Sequence, residues 1–247
     1  MLCTQLISEM PRLKVLGDKE LVRAQATAAT WHEILVAASA LNVLSVIAGG
    51  GDIPDEPDPK KRALAFWPIV SGCVDDLDDS PSDNTKRFLL HVAWHEGDKL
   101  RTRLQYGDGP GRSFFQFEAY RAKEALQYAR QKGFADNLAS VSGKTKKELK
   151  AAEDDLPDYD PNDSSSSVFP DGNLIRSLLE SNDTFGAYLA RIAFKKVSAA
   201  IGTTNADHAQ YWYAHWKVSG GDEAQLKKTF EKAADEVDSL IAAFMAW

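Results

Sequence analysis

Along most of the chain apolar residues recur three and four positions apart, the spacing of helices that bury one face. Residues 18–48 read as one long helix or two, rich in Ala, Leu and Val and closed by Gly49-Gly50-Gly51. The acidic, proline-punctuated stretch Asp52–Pro59 is a loop, and Lys60–Leu77 returns to helix with Pro68 as a kink or break. A second acidic run, Asp75–Asp83, is a solvated connection without the spacing of a calcium-binding loop. Ser82-Asp83-Asn84 then offers good N-cap residues for a helix through Thr85–Glu96, stopped by Gly97. Further helices are expected at Glu118–Lys132, Asn137–Ala152, Asn173–Ala200 (split and re-capped at Ser181-Asn182-Asp183), Asp207–Val218 and 222–246. No run of strand alternation and no internal repeat interrupts this pattern, so the chain is mainly α. It divides into an N-terminal helical segment at 1–81 and a larger helical domain at 82–247. A mobile acidic, Ser-rich loop is expected at about 153–172.

Composition adds bounds rather than a fold. With 44% hydrophobic and 26% charged residues among 247, the chain has the profile of an ordinary globular protein. A net charge of −7 and a pI near 5.3 disfavour a nucleic-acid partner, which would need a basic face. The uncharged stretch Ile34–Ala48 has fifteen residues, short of the roughly 20 that cross a bilayer, and reads as a core helix rather than a membrane span. Residues 1–16 carry neither the basic start nor the long apolar run of an export signal. Cys3 and Cys73 read as free thiols, without metal-ligand spacing.

The chemistry concentrates in Trp94–Glu118, WHEGDKLRTRLQYGDGPGRSFFQFE. Phe88, Leu89, Val92 and Ala93 share one helix face, and Glu96 extends that face into the last turn. Burial there and the negative end of the helix dipole both disfavour a charged carboxyl, which makes Glu96 a candidate general acid. The stretch Gly107-Asp108-Gly109-Pro110-Gly111 predicts a tight turn that leads into Arg112-Ser113-Phe114-Phe115-Gln116-Phe117. Ser113 and Gln116 can bond an oxygen-rich ligand. The phenylalanines read first as core, with stacking on sugar rings as the functional alternative. Aromatic residues gather again at Tyr211, Trp212, Tyr213 and Trp216, where helix packing is the simpler reading for any one ring.

Glu96 followed twenty residues later by Gln116 in GPGRSFFQFE resembles the signature of lysozyme-like lytic transglycosylases and goose-type lysozymes, in the form found in phage and prophage proteins. LLESNDTFGAYLARIA at 178–193 and AQYWYAHWK at 209–217 resemble later helices of the same group, so the likeness spans about residues 82–220. The more familiar form has Ser directly after the Glu, where this chain has Gly97. The resemblance implies a lysozyme-like helical domain that cuts the β-1,4 bond between N-acetylmuramic acid and N-acetylglucosamine in peptidoglycan. Glu96 would be its acid and base. Ser113, Phe115, Gln116, Tyr120, Tyr188 and Tyr213 would be candidate substrate contacts. A hydrolase would need a second carboxylate, for which Asp98 and Asp108 are at hand; a transglycosylase would need none. No cofactor and no metal are implied. Made without an export signal, such a protein would reach the bacterial wall as a phage endolysin or virion component, its N-terminal helices docking phage structural proteins.

Two other readings compete. The scaffold can serve a virion or bind the wall without catalysis, since a fold does not fix a function. A metal hydrolase would use His91 and His95, one helical turn apart, with His32, His208 or His215 as third ligand. Neither the HExxH pattern nor its inverse is present, because Glu96 follows the second His.

Overall fold

The computed structural model describes residues 56–217 and 221–245; the helix expected at 18–48 and the segment before it lie outside the described residues. The protein is mainly α. Pairing of the strand kind is limited, among the described residues, to the single bridges Leu104–Arg112 and Arg112–Phe117. In chain order the helices are α1 (Pro59–Leu77), α2 (Asp83–Glu96), α3 (Ala119–Lys132), α4 (Ala135–Ser142), α5 (Lys146–Asp154), α6 (Leu174–Ser181), α7 (Asp183–Lys195), α8 (Asn205–His215) and α9 (Glu223–Met245). None of them is long and apolar enough to cross a membrane.

Local chemistry sets most of the boundaries. Asp58 accepts from the Lys60 amide and Pro59 opens α1, the preferred place for a proline in a helix. Ser82 caps α2 by accepting from the Thr85 amide, and Asn173 and Asn182 cap α6 and α7 in the same way. The helix runs on through Pro68, where a kink or break was expected. Phe66, Trp67, Ile69 and Val70 are buried on either side of it, and packing outweighs the one amide that proline removes. The single helix expected at Asn137–Ala152 is two. Gly143 ends α4 in the left-handed region, and a capping box between Thr145 and Glu148 starts α5.

Two helices form the centre. Seven consecutive residues of α2, Phe88–Trp94, are buried, and so is Phe185–Ala190 of α7; a helix apolar on all sides lies inside its domain. α1 packs on both, with Ala63, Phe66, Val70, Cys73 and Val74 fully buried in the same core. Although the sequence placed α1 ahead of the domain start at 82, it belongs to the same compact unit as the helices that follow it. The segment after α5 is irregular, apart from a 3-10 turn at Ser164–Ser167, but it is anchored. Leu156, Ser166 and Phe169 are buried, and the Ser167 hydroxyl donates to Glu118 Oε2 at 3.0 Å. Glu153, expected at the start of the loop, belongs to α5 and is buried in an ion pair with Arg130.

A chain of polar side chains joins α2 to α8 and α9. Asn84 accepts from His208 Nε2 at 3.1 Å, its amide orientation set by its bond to the Gly202 carbonyl at 2.6 Å. His208 Nδ1 meets His91 Nδ1 at 2.9 Å, and His91 Nε2 meets Asp238 Oδ1 at 2.9 Å. Because Asn84 accepts from His208 Nε2, the second nitrogen of the neutral His208 ring, Nδ1, is left as the acceptor facing His91. Arg87 and Asn205 complete the shell of Asp238 and, with His91, hold its carboxyl well below the usual carboxylate range despite burial.

Ion pairs in this fold fall into two classes. Arg103 grips Asp183 through two bonds of 2.7 Å, with the Asp183 side chain fully buried at the start of α7 and the guanidinium 4.6 Å over the Phe114 ring. Lys123–Asp158 is open on the acid's side, with Asp158 87% exposed. Asp183→Ala is expected to cost about 3–5 kcal/mol of stability, because it strands a partly buried arginine. Asp158→Ala is expected to cost less than about 1 kcal/mol. Chemical denaturation of the two variants checks the difference.

Candidate active site

Glu96 is the last residue of α2, and the backbone after it is unusual. Gly97 admits no side chain: a Cβ there would sit 2.8 Å from the Ala93 carbonyl and 3.0 Å from the Phe114 ring. That contact excludes the Ser found here in the more familiar motif. Asp98, Lys99 and Leu100 then adopt positive φ in succession, 45°, 60° and 58°, one turn of left-handed helix built without glycine. Such residues cost roughly 1–2 kcal/mol each. The turn is held by Lys99 N to Trp94 O at 2.7 Å, Arg101 N to Gly97 O at 2.8 Å and the Arg62 guanidinium on the Lys99 carbonyl at 2.8 Å. Leu100 anchors it in the core.

The Gly-rich segment folds back on itself. Arg112 and Phe117 exchange backbone bonds of 2.9 and 2.7 Å around a tight turn in which Ser113 (φ 63°) and Gln116 (φ 52°) are left-handed. The two polar residues expected to hold substrate hold this turn instead. Ser113 Oγ accepts from the Phe115 amide at 3.1 Å, and Gln116 Nε2 donates to the Ser113 carbonyl at 2.9 Å. Gln116 Oε1 is buried and has no hydrogen-bond partner among the described residues. A Cβ at Gly111 would come within 2.6 Å of that oxygen, so a larger residue there would displace the Gln116 amide. The phenylalanines are core. Phe114 and Phe115 pack on Phe66 of α1, Phe117 packs edge-on to Trp216, and the Phe115 carbonyl accepts from Trp216 Nε1 at 3.0 Å.

What faces Glu96 comes from further along the chain. Trp212 of α8, itself buried, donates from Nε1 to Glu96 Oε1 at 2.7 Å. Its indole stacks on Phe230 of α9 and meets His95 edge-on. Burial pushes the Glu96 carboxyl up to about 7, against the opposing pull of the Trp212 hydrogen bond and of the Lys217 and Arg121 charges; the charge of Glu118 adds to the rise. The site is therefore a partly accessible acid held by an indole N–H, with two cations and one further carboxylate around it. Glu118 stands at the N-cap position of α3 directly after the aromatic turn, without a side-chain cap bond. Trp212, Arg121, Lys217 and Glu118 were not singled out from the sequence as site residues. The aromatic cluster at 211–216 was the one signal that pointed towards them.

The other sequence candidates are dispersed. Tyr120 belongs to the site's border, its hydroxyl accepting from Arg121 Nε at 3.1 Å. Tyr213 lies under the ammonium of Lys227 at 5.5 Å. Tyr188 is buried between α7 and α1, where its hydroxyl donates to Asp76. Asp98 accepts from the Tyr106 hydroxyl at 2.8 Å, and Asp108 lies in the 3-10 turn Tyr106–Asp108. Tyr106 itself, 71% exposed and fixed by that bond, is an aromatic surface the sequence reading passed over. The two histidines one turn apart do not converge. His91 belongs to the chain ending at Asp238, whereas His95 sits against Trp212 and Phe230, its pKa lowered to about 4 by burial and by the Lys217 charge. Among the described residues no group of three or more His, Cys, Asp or Glu side chains is placed to hold a metal ion.

A carboxyl whose pKa is raised by folding stabilises the fold fully below its unfolded value of about 4.5, and that contribution is lost as pH rises through about 7. Glu96→Gln keeps an acceptor for Trp212 and carries no charge. Relative to wild type, the variant should therefore gain up to about 3 kcal/mol of stability between about pH 4 and pH 8. Parallel thermal melts across that range measure the gain, and the shared titrations of His95 and His208 cancel in the difference. Compared with protein-family models, characterised proteins and solved structures, the chain matches none.

Proposed function

We propose that the protein cleaves the β-1,4 bond between N-acetylmuramic acid and N-acetylglucosamine in peptidoglycan, on a lysozyme-like helical scaffold, with Glu96 as general acid and then general base. The observation that carries this reading is the state of one group: a carboxyl at a helix end with a pKa near 7, held by Trp212 on a residue that is only partly buried. An acid of that strength is protonated near neutrality yet gives up its proton readily. In the first step the Glu96 proton passes to the glycosidic oxygen as the bond from the muramyl C1 breaks. In the second, the Glu96 carboxylate removes the proton of the muramyl 6-hydroxyl while that oxygen attacks C1. The products are a 1,6-anhydro ring and a free 4-hydroxyl, and no water is consumed. The spacing of Glu96 and Gln116 in the sequence supports the same reading, and so does the role of Gln116 in closing the turn that leads to Glu118.

Digestion of purified peptidoglycan, with products read by mass spectrometry, tests the proposal. The expected outcome is muropeptides ending in 1,6-anhydromuramic acid, with the rate cut at least about 100-fold in Glu96→Gln. For wild type, kcat/KM should fall as pH rises through about 7, because the first step needs the protonated acid. Reducing-end products instead would make the enzyme a muramidase. Glu118, rather than Asp98 or Asp108, would then be the second carboxylate to mutate. Absence of glycan cleavage on several wall types would overturn the catalytic reading.

A further inference from the structure

In this acidic protein most of the described arginines hold a carboxylate, as Arg87 does with Asp238, Arg112 with Glu180, Arg130 with Glu153 and Arg191 with Asp78. Arg121 does not. Its Nε donates to the Tyr120 hydroxyl at 3.1 Å and its Nη1 to the His215 carbonyl at 3.4 Å. The guanidinium carbon lies 5.2 Å from the centre of the Trp216 ring and 5.9 Å from that of Tyr120. Side chain and plane are thereby fixed, while Nη2 has no acceptor among the described residues. Lys217 likewise has no carboxylate within bonding distance among them. Its amide closes the last turn of α8 on the Trp212 carbonyl at 3.1 Å, one helical turn from the indole that holds Glu96.

These two charges are poorly placed for the acid alone. Each favours the ionised form of Glu96, the form that cannot donate. Capping the carbonyl end of α8 explains one bond of Arg121, but not the absence of a counter-ion at two positions around one carboxyl. A bound anion would remove the conflict, because it screens both cations and its own charge opposes ionisation of Glu96. Arg121 also lines a groove of about 260 Å³ with Tyr120, Phe194, His215 and Trp216, in whose wall Glu124 and Lys196 pair with each other and leave the guanidinium the unpaired charge among the described residues. The guanidinium thus lies on an open surface while its charge acts on the acid.

From this geometry we infer that Arg121 and Lys217 form a subsite for a carboxylate carried by the substrate next to the cleaved bond. The inference rests on the glycan-cleaving reading above and adds to it the group that decides which strands are cut. In a strand freed of peptide the carboxylate is that of the muramyl lactyl ether; in intact wall it belongs to the peptide stem. Guanidinium and ammonium groups recognise either one. The charged or titratable groups that face Glu96 are Arg121 and Glu118 from α3 and Lys217 beyond α8, with His95 beside it on α2. The anion's charge is added to that set when substrate binds. Carboxylate-bearing strands therefore place Glu96 in its protonated form more completely than neutral ones do, and the preference appears in kcat as well as KM.

The test compares four substrates on the full-length protein: peptide-free glycan strands and their methyl esters, and disaccharide-peptide strands with free or amidated stem carboxyls. Wild type is expected to cleave one acid form at least tenfold faster in kcat/KM than its neutral form, and the responding pair identifies the source of the carboxylate. In Arg121→Gln and, separately, Lys217→Gln the acid-to-neutral ratio should fall towards one. For the acid substrate the alkaline limb of kcat should lie at higher pH than that of kcat/KM, a displacement that a purely structural role would not produce. Equal cleavage of acid and neutral forms by wild type would overturn the subsite, as would variants that lose activity with the ratio unchanged. Calorimetric binding of the same four strands to Glu96→Gln separates the two claims. Acid-selective binding without any wild-type cleavage leaves the subsite standing and the catalytic reading fallen; binding that ignores the carboxylate, or no binding at all, overturns the subsite.

Discussion

The hydrogen bond from the Trp212 indole to Glu96 joins two helices 116 residues apart in the chain and sets the character of both. By itself it favours the ionised acid. Burial outweighs it, and the carboxyl settles near 7 rather than near 4.5. The indole is in turn held from behind, stacked on Phe230 of α9 and edge-on to His95 of α2. The acid's position is thus a property of three helices at once. A rigid donor with one N–H gives the carboxyl a single preferred orientation, which a flexible donor would not.

The polar chain through Asn84, His208, His91 and Asp238 serves the same three helices one turn further back. Buried polar groups contribute little net stability compared with apolar packing of similar volume, but they tolerate few alternative arrangements. A slip of α8 or α9 along α2 would leave His91 or Asp238 unpaired inside the protein. Apolar contacts such as Phe88 with Tyr211 and Phe194 bring the helices together, and the histidines fix their register. The placement of Trp212 on Glu96 follows from that register.

Periodicity alone located nearly every helix, because the amphipathic and fully apolar stretches here are long and their caps are ordinary Ser, Asn and Asp residues. It misjudged the 137–152 stretch, where the Gly143 stop and the Thr145–Glu148 capping box divide what periodicity alone reads as one helix. Glu96 was legible for the same reason as the helices: its place on the buried face and the glycine after it are local facts. Its surroundings were not. Ser113 and Gln116 have the side chains of ligand-binding residues, but left-handed backbone at both positions turns those groups inward, and no local pattern announces that. Trp212, Lys217 and Arg121 reach the acid through tertiary packing, so only the fold reveals them.

The same long-range construction governs when the acid comes into being. During synthesis or refolding, α2 can form early from its own cap and apolar face, but at that stage Glu96 is a solvated carboxylate at a helix end. Its neutral form is favoured only with α8 docked and α9 over the indole, and the first of these contacts closes a loop of 116 residues, at a large entropic cost. The acid therefore matures last and together with the core, and a partly folded chain carries an ordinary glutamate there instead. The raised pKa is thus a property of the assembled helices and vanishes with their docking.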